Sequence, residues 1–175
     1  MNPLIRFDRR VTFWLQSWPS VLHPYMLAIT LLGSLGCVVL VSLVIAVVAY
    51  SKHYLRLSLA FVAILPSEAL NALLKVLFNR MRPHTQFAQN MLIHTKSFPS
   101  GHAFGSFVLY GLLAYLCFTR LPHNWQWVAT ITLASLIVLI GISRVYLGAH
   151  YFFDVIGGWV LGAVILTIII RVAKI

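Results

Sequence analysis

Four polar residues lie close together near the end of a chain that is otherwise mostly apolar: Ser143, Arg144, His150 and Asp154. Residues four apart share one face of a helix, so His150 and Asp154 would touch if a helix began near residue 149. A carboxylate bound to one imidazole nitrogen fixes the tautomer and leaves the other nitrogen free to attack or to bind. The alternative interpretation is a polar helix cap in which Arg144 pairs with Asp154.

Two further polar clusters precede this one. In the first, Lys75 lies seven residues before Arg82, which is followed by a proline; the second is Pro-Ser-Gly-His at 99–102, directly before an apolar run. Ser100 is predicted to cap a helix there, and Gly101 would let a ligand reach N–H groups whose dipole favours an anion. The alternative is an ordinary helix cap followed by a boundary histidine.

Together the three clusters contain three cations, two histidines and a single carboxylate. Arginine geometry suits phosphate oxygens, so we predict an anionic, phosphate-bearing substrate. Magnesium-assisted phosphoryl transfer would need several carboxylates, and the whole chain has only three acidic residues. We therefore expect no metal and no cofactor, with the positive charge supplied by the side chains themselves.

The elements that position these residues are predicted to cross a membrane. Of the 175 residues, 61% are hydrophobic and 9% are charged, whereas soluble domains are about a quarter charged. Several apolar runs reach the roughly 20 residues that a spanning helix needs. We predict an all-α, polytopic transmembrane helix bundle that forms one domain over residues 1–175. Its five spans cover about 26–50, 55–78, 100–119, 128–142 and 151–172, and residues 1–24 form an interfacial amphipathic helix.

Five spans bring the clusters together, because the end of the second and fourth spans and the start of the third and fifth lie on one side. Glu68, Asn71 and Lys75 also share one face of the second span. Charge at membrane depth indicates a functional site by default, and the alternative is a structural Glu68–Lys75 pair. Small residues in two spans are predicted to serve packing. They are Gly33, Ser34 and Gly36 in the first span and Gly157, Gly158 and Gly162 in the fifth.

The three clusters resemble the signature of the type 2 phosphatidic acid phosphatase superfamily, Lys-x6-Arg-Pro, Pro-Ser-Gly-His and Ser-Arg-x5-His-x3-Asp. All three parts are matched without substitution, in order and at the right spacing, over roughly the second half of the chain. The resemblance implies a helical membrane bundle that hydrolyses phosphate monoesters or diphosphates, usually on lipids, without a metal. Membrane members commonly have six spans, whereas five plus an interfacial segment are counted here.

The resemblance also implies a role for each residue of the signature. His150 would attack phosphorus and become a phosphohistidine, Asp154 would hold its ring, and His102 would protonate the leaving group and then activate water. The phosphoryl oxygens would be held by Lys75, Arg82, Ser100, Gly101 and Arg144, with Ser143, Glu68 and Asn71 as possible supporting residues. The loop residues Arg80, His84, His94 and Lys96 would contact the head group or, alternatively, form a solvated basic loop.

The net charge of +10 favours anionic lipid head groups as partners over nucleic acid, because the cations lie at span ends and in loops. Apart from Lys75, Arg82 and Arg144, five cations fall on each side, so the positive-inside rule gives no orientation. The family resemblance implies a bacterial inner membrane and a site facing the periplasm or exterior. Undecaprenyl diphosphate, phosphatidylglycerophosphate, phosphatidate and lipid A phosphates stay open as substrates, as does the oligomeric state. A family phosphotransferase, an anionic-lipid transporter or binding protein, and a haem-binding bundle are the alternatives.

Overall fold

The computed structural model describes residues 2–90 and 95–175, and these residues form helices and the turns between them. The helices are α1 (Pro3–Gln16), α2 (His23–Leu32), α3 (Leu35–Ser51), α4 (Leu55–Val62), α5 (Ile64–Phe78), α6 (Gln86–Gln89), α7 (Gly101–Arg120), α8 (His123–Tyr146) and α9 (Phe152–Ala173), with a 3-10 turn at Ser20–Leu22. The central helix, α7, packs along α8 and α9 and also touches α3 and α5. Its side chains Phe104, Val108 and Leu112 are fully buried in the main core.

Four helical segments are long and apolar enough to cross a membrane, and a bent pair of helices makes a fifth. The four are Leu55–Phe78, which joins α4 and α5, and the helices α7, α8 and α9. The bent pair consists of α2, with the preceding turn, and α3. The predicted fold class, an all-helical membrane bundle with about five spans, is therefore confirmed.

The first span is broken rather than continuous, with an angle of 44° between its two parts. Gly33 ends α2, and the Ser34 hydroxyl caps α3 by accepting a hydrogen bond from Cys37 N at 3.3 Å. The span predicted over 26–50 therefore consists of two helices, because the capping serine starts a new helix. Gly33 does permit close packing, since a Cβ there would meet Ile140 of α8, whereas Gly36 has no such neighbour within 4 Å.

The second span is interrupted at Ala63, between α4 and α5. Pro66 explains the interruption, because its ring nitrogen cannot donate to the carbonyl of Val62 and the ring crowds that carbonyl. The break separates an apolar first half from α5, which carries the polar residues of the span. Glu68, Asn71 and Lys75 all lie on α5, towards the end that faces the functional clusters.

The amino-terminal helix α1 packs against α8 and α9. Its buried residues are Asp8, Thr12 and Leu15, which lie three or four apart and therefore share one face. Most of its other side chains are exposed, including Phe13 and Trp14. The predicted amphipathic helix is present, but its inner face carries a carboxylate and a hydroxyl that bind the start of α9, as described below.

Candidate active site

The Pro-Ser-Gly-His segment forms the start of α7, as its sequence predicts. The Ser100 hydroxyl caps the helix by accepting from Ala103 N at 3.4 Å, and Ser100 N donates to the Asp154 carbonyl at 2.9 Å. On α9, a Cβ added to Gly158 would lie 2.7 Å from the Ser100 carbonyl oxygen. The start of α7 is therefore held tightly against the start of α9, and the glycine makes this approach possible.

His150 lies in the turn between α8 and α9, not on a helix. Gly148 adopts a left-handed conformation with φ of 77°, and the amides of Ala149 and His150 donate to the Arg144 carbonyl at 3.0 and 3.2 Å. The helix does not begin near residue 149, the condition considered for a contact between His150 and Asp154, because α9 begins at Phe152, close to the predicted start of the fifth span. The turn still brings the imidazole towards the carboxylate, with Nδ1 of His150 3.6 Å from Oδ2 of Asp154.

Asp154 is fully buried, and both of its carboxylate oxygens are engaged. Oδ2 accepts from Tyr151 N at 2.9 Å, as the third residue of a helix does in a capping box, and also from the Ser97 hydroxyl. Oδ1 accepts from Nη1 of Arg80 at 2.6 Å. The carboxylate is therefore fixed in orientation, with Oδ2 on the side of the His150 ring.

Arg82 reaches His150 from the opposite side of the ring. Its Nε and Nη2 donate to the carbonyl and hydroxyl of Thr95 at 2.7 and 2.8 Å, and its Nη1 donates to the Ala149 carbonyl at 2.9 Å. Nη1 also lies 3.2 Å from Nε2 of His150. Because a guanidinium only donates, Nε2 must accept and Nδ1 must carry the proton that faces Asp154. In this tautomer Nε2 carries no proton, and its lone pair is the one that a nucleophile needs.

Lys75 and Arg144, the remaining two cations of the signature, both donate hydrogen bonds to uncharged groups. Nζ of Lys75 donates to the carbonyls of Pro99 at 2.7 Å and Lys96 at 3.1 Å. Within the described ranges no ion pair joins Lys75 to Glu68, the structural pair that we considered as the alternative. The charge of Lys75 is thus left for a ligand.

Arg144 does not pair with Asp154, so the second alternative is also not observed in the described part of the chain. Its Nη1 donates to the Thr30 hydroxyl of α2 at 2.7 Å, and its guanidinium lies 5.7 Å from the centre of the Phe87 ring. Nε of Arg144 is buried and has no hydrogen-bond partner among the described residues. Oδ1 of Asn71 is likewise buried and has no hydrogen-bond partner among the described residues.

A cavity of about 560 Å³ joins the three clusters. Its polar wall is formed by Glu68, Asn71, Lys75, Arg82, Thr95, Gly101, His102, Arg144 and His150. Its apolar wall is formed by Leu35 and Val39 of α3 together with Leu65, Ala69 and Ala72 of α5. Ser143 stands apart, since it is fully buried and its hydroxyl donates to the Ile140 carbonyl of its own helix at 2.7 Å.

The surroundings of His150 favour its neutral form. Burial lowers the pKa of His150 well below its usual value, and the nearby charges of Arg144, Arg82 and Lys75 lower it further. Burial also lowers the pKa of Arg82, while Asp154 acts in the opposite direction. A neutral imidazole surrounded by fixed cations can offer a lone pair to an anionic electrophile, because the cations offset the repulsion that the anion would otherwise meet.

Arg80 and Asp8, which the sequence analysis did not assign to the catalytic set, lie next to the Asp154 carboxylate. Arg80, expected to contact a head group or solvent, bridges Asp154 to Asp8 of α1, with Nη2 to Oδ2 of Asp8 at 2.5 Å. Asp8 also accepts from Phe153 N at 2.8 Å. The sequence signal that could have identified Asp8 is the rarity of acidic residues. Asp8 is one of only three in the chain, and it lies on an arginine-rich helix.

The other loop residues lie away from this network. His84 and Lys96 line a second cavity of about 320 Å³, whose wall shares Arg82 and Thr95 with the first. His84 is exposed. His94 falls outside the described residues.

The chain is similar to curated proteins over about half of its length. The chain is 40% identical to phosphatidylglycerophosphatase B of Bacillus subtilis over 95 residues, which are 53% of this chain and 46% of that protein. It is 36% identical to an undecaprenyl-diphosphatase of Sulfolobus acidocaldarius over 93 residues, 51% of this chain and 41% of that one. The matches thus span less than half the length of these curated relatives.

Two solved structures resemble the whole fold. One is a transmembrane PAP2-type phosphatidylglycerolphosphate phosphatase from Bacillus subtilis, with a TM-score of 0.86, 27% identity, and coverage of 99% of this chain and 88% of that one. The other is Aquifex aeolicus LpxE, with a TM-score of 0.68, 20% identity, and coverage of 94% and 95%, which shows the fold alone. The family model of the PAP2 superfamily matches residues 55–174, well over half of the chain, and the protein therefore belongs to that superfamily.

Proposed function

We propose that this protein is an integral-membrane phosphatase that hydrolyses a phosphate monoester or diphosphate of a membrane lipid through a phosphohistidine at His150. The observation that carries the proposal is the orientation of His150. Its ring is held between Asp154 and Arg82 so that Nε2 has a lone pair beside a cavity that three cations and His102 line.

The reaction follows from these positions in two steps. Nε2 of His150 forms a bond to phosphorus while the bond to the lipid oxygen breaks, and His102 donates a proton to that oxygen. Asp154 stabilises the imidazolium that forms. A water then loses a proton to His102 and attacks phosphorus, the P–N bond breaks, and inorganic phosphate leaves.

The charge of the transferred group is matched by the side chains around it. Lys75, Arg82 and Arg144 converge on the cavity, and the first N–H groups of α7 at Gly101 open onto it. Positioned cations and a helix N-terminus are sufficient in principle to stabilise charge spread over phosphoryl oxygens. We therefore propose that the reaction needs no metal. Ser143 would act only through the backbone of α8, and the Asn71 side chain would donate to a phosphoryl oxygen through its N–H groups.

A lipid substrate is supported by the apolar wall of the same cavity. Leu35 and Val39 on α3 face Leu65, Ala69 and Ala72 on α5, so an acyl or isoprenoid tail can leave the polar site between these two helices. The similarity to phosphatidylglycerophosphatase B supports phosphatidylglycerophosphate first, and the similarity to undecaprenyl-diphosphatases supports undecaprenyl diphosphate second. Lipid A phosphate, a phosphotransfer reaction, and lipid binding without hydrolysis are the remaining candidates.

We further propose that residues 1–175 act as one membrane-embedded domain in a bacterial inner membrane, with the site facing the periplasm or exterior. The main core around α7 supports the first part, and the family resemblance supports the second. The carboxyl-terminal end of α9 would then be cytoplasmic. A carboxyl-terminal reporter that is active only outside the cytoplasm would contradict this orientation.

The proposed function is tested by phosphate release from purified protein in detergent, with excess chelator present. Phosphatidylglycerophosphate, undecaprenyl diphosphate, phosphatidate and lipid A are compared, with His150→Ala as the control. We expect release that survives the chelator and is lost in the variant. Release that the chelator abolishes and magnesium restores would contradict the metal-free reaction, and no release from any lipid would contradict the hydrolase.

A further inference from the structure

Arg80 lies between two buried carboxylates that come from opposite ends of the chain. Its Nη1 binds Oδ1 of Asp154 at 2.6 Å, and its Nη2 binds Oδ2 of Asp8 at 2.5 Å. Its guanidinium carbon lies 4.4 Å from the centre of the Tyr151 ring. The Arg80 side chain is 31% exposed, whereas those of Asp8 and Asp154 are 2% and 0% exposed.

These contacts differ from an ordinary surface ion pair because both carboxylates are removed from water. A buried carboxylate needs a cation or several donors to stay ionised. Burial alone would lower the pKa of Arg80, but the hydrogen bond to Asp8 and the charge of Asp154 raise it above its usual value. The two carboxylates therefore favour the charged form of Arg80.

The two oxygens of Asp154 have separate partners. Oδ2 lies on the side of His150 and accepts from Ser97 and Tyr151, while Arg80 is the side chain that binds Oδ1 in the described part of the chain. Arg80 thereby fixes the plane of the carboxylate and its charge without touching the cavity that holds the phosphate site. Loss of Arg80 would leave Oδ1 buried without a donor.

The amino-terminal helix holds Arg80 in this position. Asp8 binds Arg80 with Oδ2 and Phe153 N with Oδ1, and the Thr12 hydroxyl one turn later accepts from Phe152 N at 3.0 Å. The first amides of α9, which its own helix cannot satisfy, are therefore capped by side chains of α1. The helix α1 is tied to the helix that carries Asp154.

We propose that Arg80 is a positioning residue that acts through Asp154 on His150, and that Asp8 of α1 completes the site by holding Arg80 in place. The inference rests on the proposed function, because it requires His150 to be the group whose charge Asp154 stabilises. When Nε2 attacks phosphorus, the ring becomes an imidazolium, and Asp154 must then be ionised and facing Nδ1. Arg80 and Asp8 would matter in that step and not in substrate binding.

The test uses the full-length protein in detergent and phosphate release from phosphatidylglycerophosphate and from farnesyl diphosphate. Arg80→Met, Arg80→Lys and Asp8→Asn are each made alone and in an Asp154→Asn background. Asp8→Asn keeps an acceptor for Phe153 N and removes only the charge that Arg80 meets. The matched control is Arg10→Met, which removes an exposed arginine of α1.

We expect Arg80→Met to lower kcat by about 10- to 100-fold, the range typical of residues that orient a reacting group. The KM should change by less than about threefold, since only transition-state stabilisation is lost. Arg80→Lys should recover part of the loss and Asp8→Asn should show a smaller one. In the Asp154→Asn background none of the three should lower kcat further, because residues that act as a unit are not additive.

Additive losses in the Asp154→Asn background, or a rise in KM with kcat unchanged, would overturn the inference. So would an Arg80→Met protein as active as Arg10→Met. Failure of the proposed function has a different signature, in which the wild-type protein releases no phosphate or His150→Ala releases as much as the wild type.

Discussion

Arg82 and His150 are joined side by side, with Nη1 of the arginine 3.2 Å from Nε2 of the histidine. The same guanidinium is anchored to Thr95 and Ala149 through three further hydrogen bonds. The cation that is assigned to the phosphoryl oxygens therefore already lies next to the nucleophilic nitrogen. A phosphoryl group entering the cavity would meet both at once.

Replacing Arg82 by lysine should be nearly as harmful as removing it. A lysine keeps the charge but cannot reach Thr95, Ala149 and the phosphoryl group together, because its ammonium is a single point and not a planar fork. We expect Arg82→Lys to lower kcat/KM by at least about 100-fold, the cost of losing one electrostatic stabiliser of the transition state. Steady-state hydrolysis of the best lipid substrate measures this.

The matched control for that variant is Arg56→Lys, at the opposite end of the bundle. Arg56 is exposed and lines a different cavity, next to α9. Its replacement by lysine should leave kcat/KM unchanged. Equal losses in the two variants would mean that arginine at position 82 serves stability rather than the reaction.

The pH dependence should reflect the neutral state of His150. Because burial and the surrounding cations lower its pKa, the reactive form persists below the usual imidazole value of about 6.5. We expect the acidic limb of kcat/KM that reports protonation of His150 to lie below pH 6.5. A profile from about pH 8 down to about pH 5 tests this, and an acidic limb centred at or above pH 7 would contradict it.

The lowered pKa of His150 also makes the free energy of unfolding depend on pH. Below about pH 6.5 the unfolded chain binds a proton at His150 that the folded chain does not, so the free energy of unfolding falls as the pH falls. The His150→Gln protein should lose less stability than the wild type over that range. Thermal unfolding in detergent at several pH values measures the difference.

The contact between α7 and α9 should tolerate no side chain at Gly158. A methyl group would lie 2.7 Å from the Ser100 carbonyl and 3.0 Å from the Ala103 side chain. Overpacking of this kind costs about 1–3 kcal/mol, more than the roughly 1 kcal/mol that alanine gains over glycine in a helix. We expect Gly158→Ala to lower both the melting temperature and kcat, since Gly101 and His102 follow Ser100.

Gly36→Ala is the control, because no atom lies within 4 Å of a Cβ at that position. This variant should be unchanged or slightly more stable, and fully active. A Gly158→Ala protein that matched it in both melting temperature and kcat would show that the close approach of the two helices is not needed.

Local sequence signals predict much of the fold and of the candidate site. Apolar length defines α7 and α9 to within a few residues, and the Ser100 cap follows from its position before an apolar run. Counting the spans places Lys75, Arg82 and His150 on one side of the membrane, and in the structure all three line one cavity. Gly158 and Gly162 of α9 pack closely against α7, which agrees with the packing role that their spacing predicts, whereas Gly157 lies against Phe98 before that helix.

Features that depend on distant contacts could not be predicted in this way. Asp8 and Phe153 lie 145 positions apart in the chain, and no spacing rule connects them. The conformation of the turn that contains His150 also depends on distant contacts, because side chains of α1 bind the first amides of the helix that follows it. Arg80 is one of several basic residues of its loop, so only the folded structure separates its role from theirs.

The central claim is that His150 carries the phosphoryl group, and a trapped intermediate tests it most directly. The purified protein is mixed with an aryl phosphate, whose good leaving group needs no general acid, and is quenched with alkali before peptide mass analysis. In the His102→Ala protein, where water activation is lost, we predict an acid-labile phosphoryl adduct that accumulates on residue 150. Turnover of the same substrate by wild-type protein with no adduct at residue 150 in His102→Ala, or undiminished turnover by His150→Ala, would contradict the account.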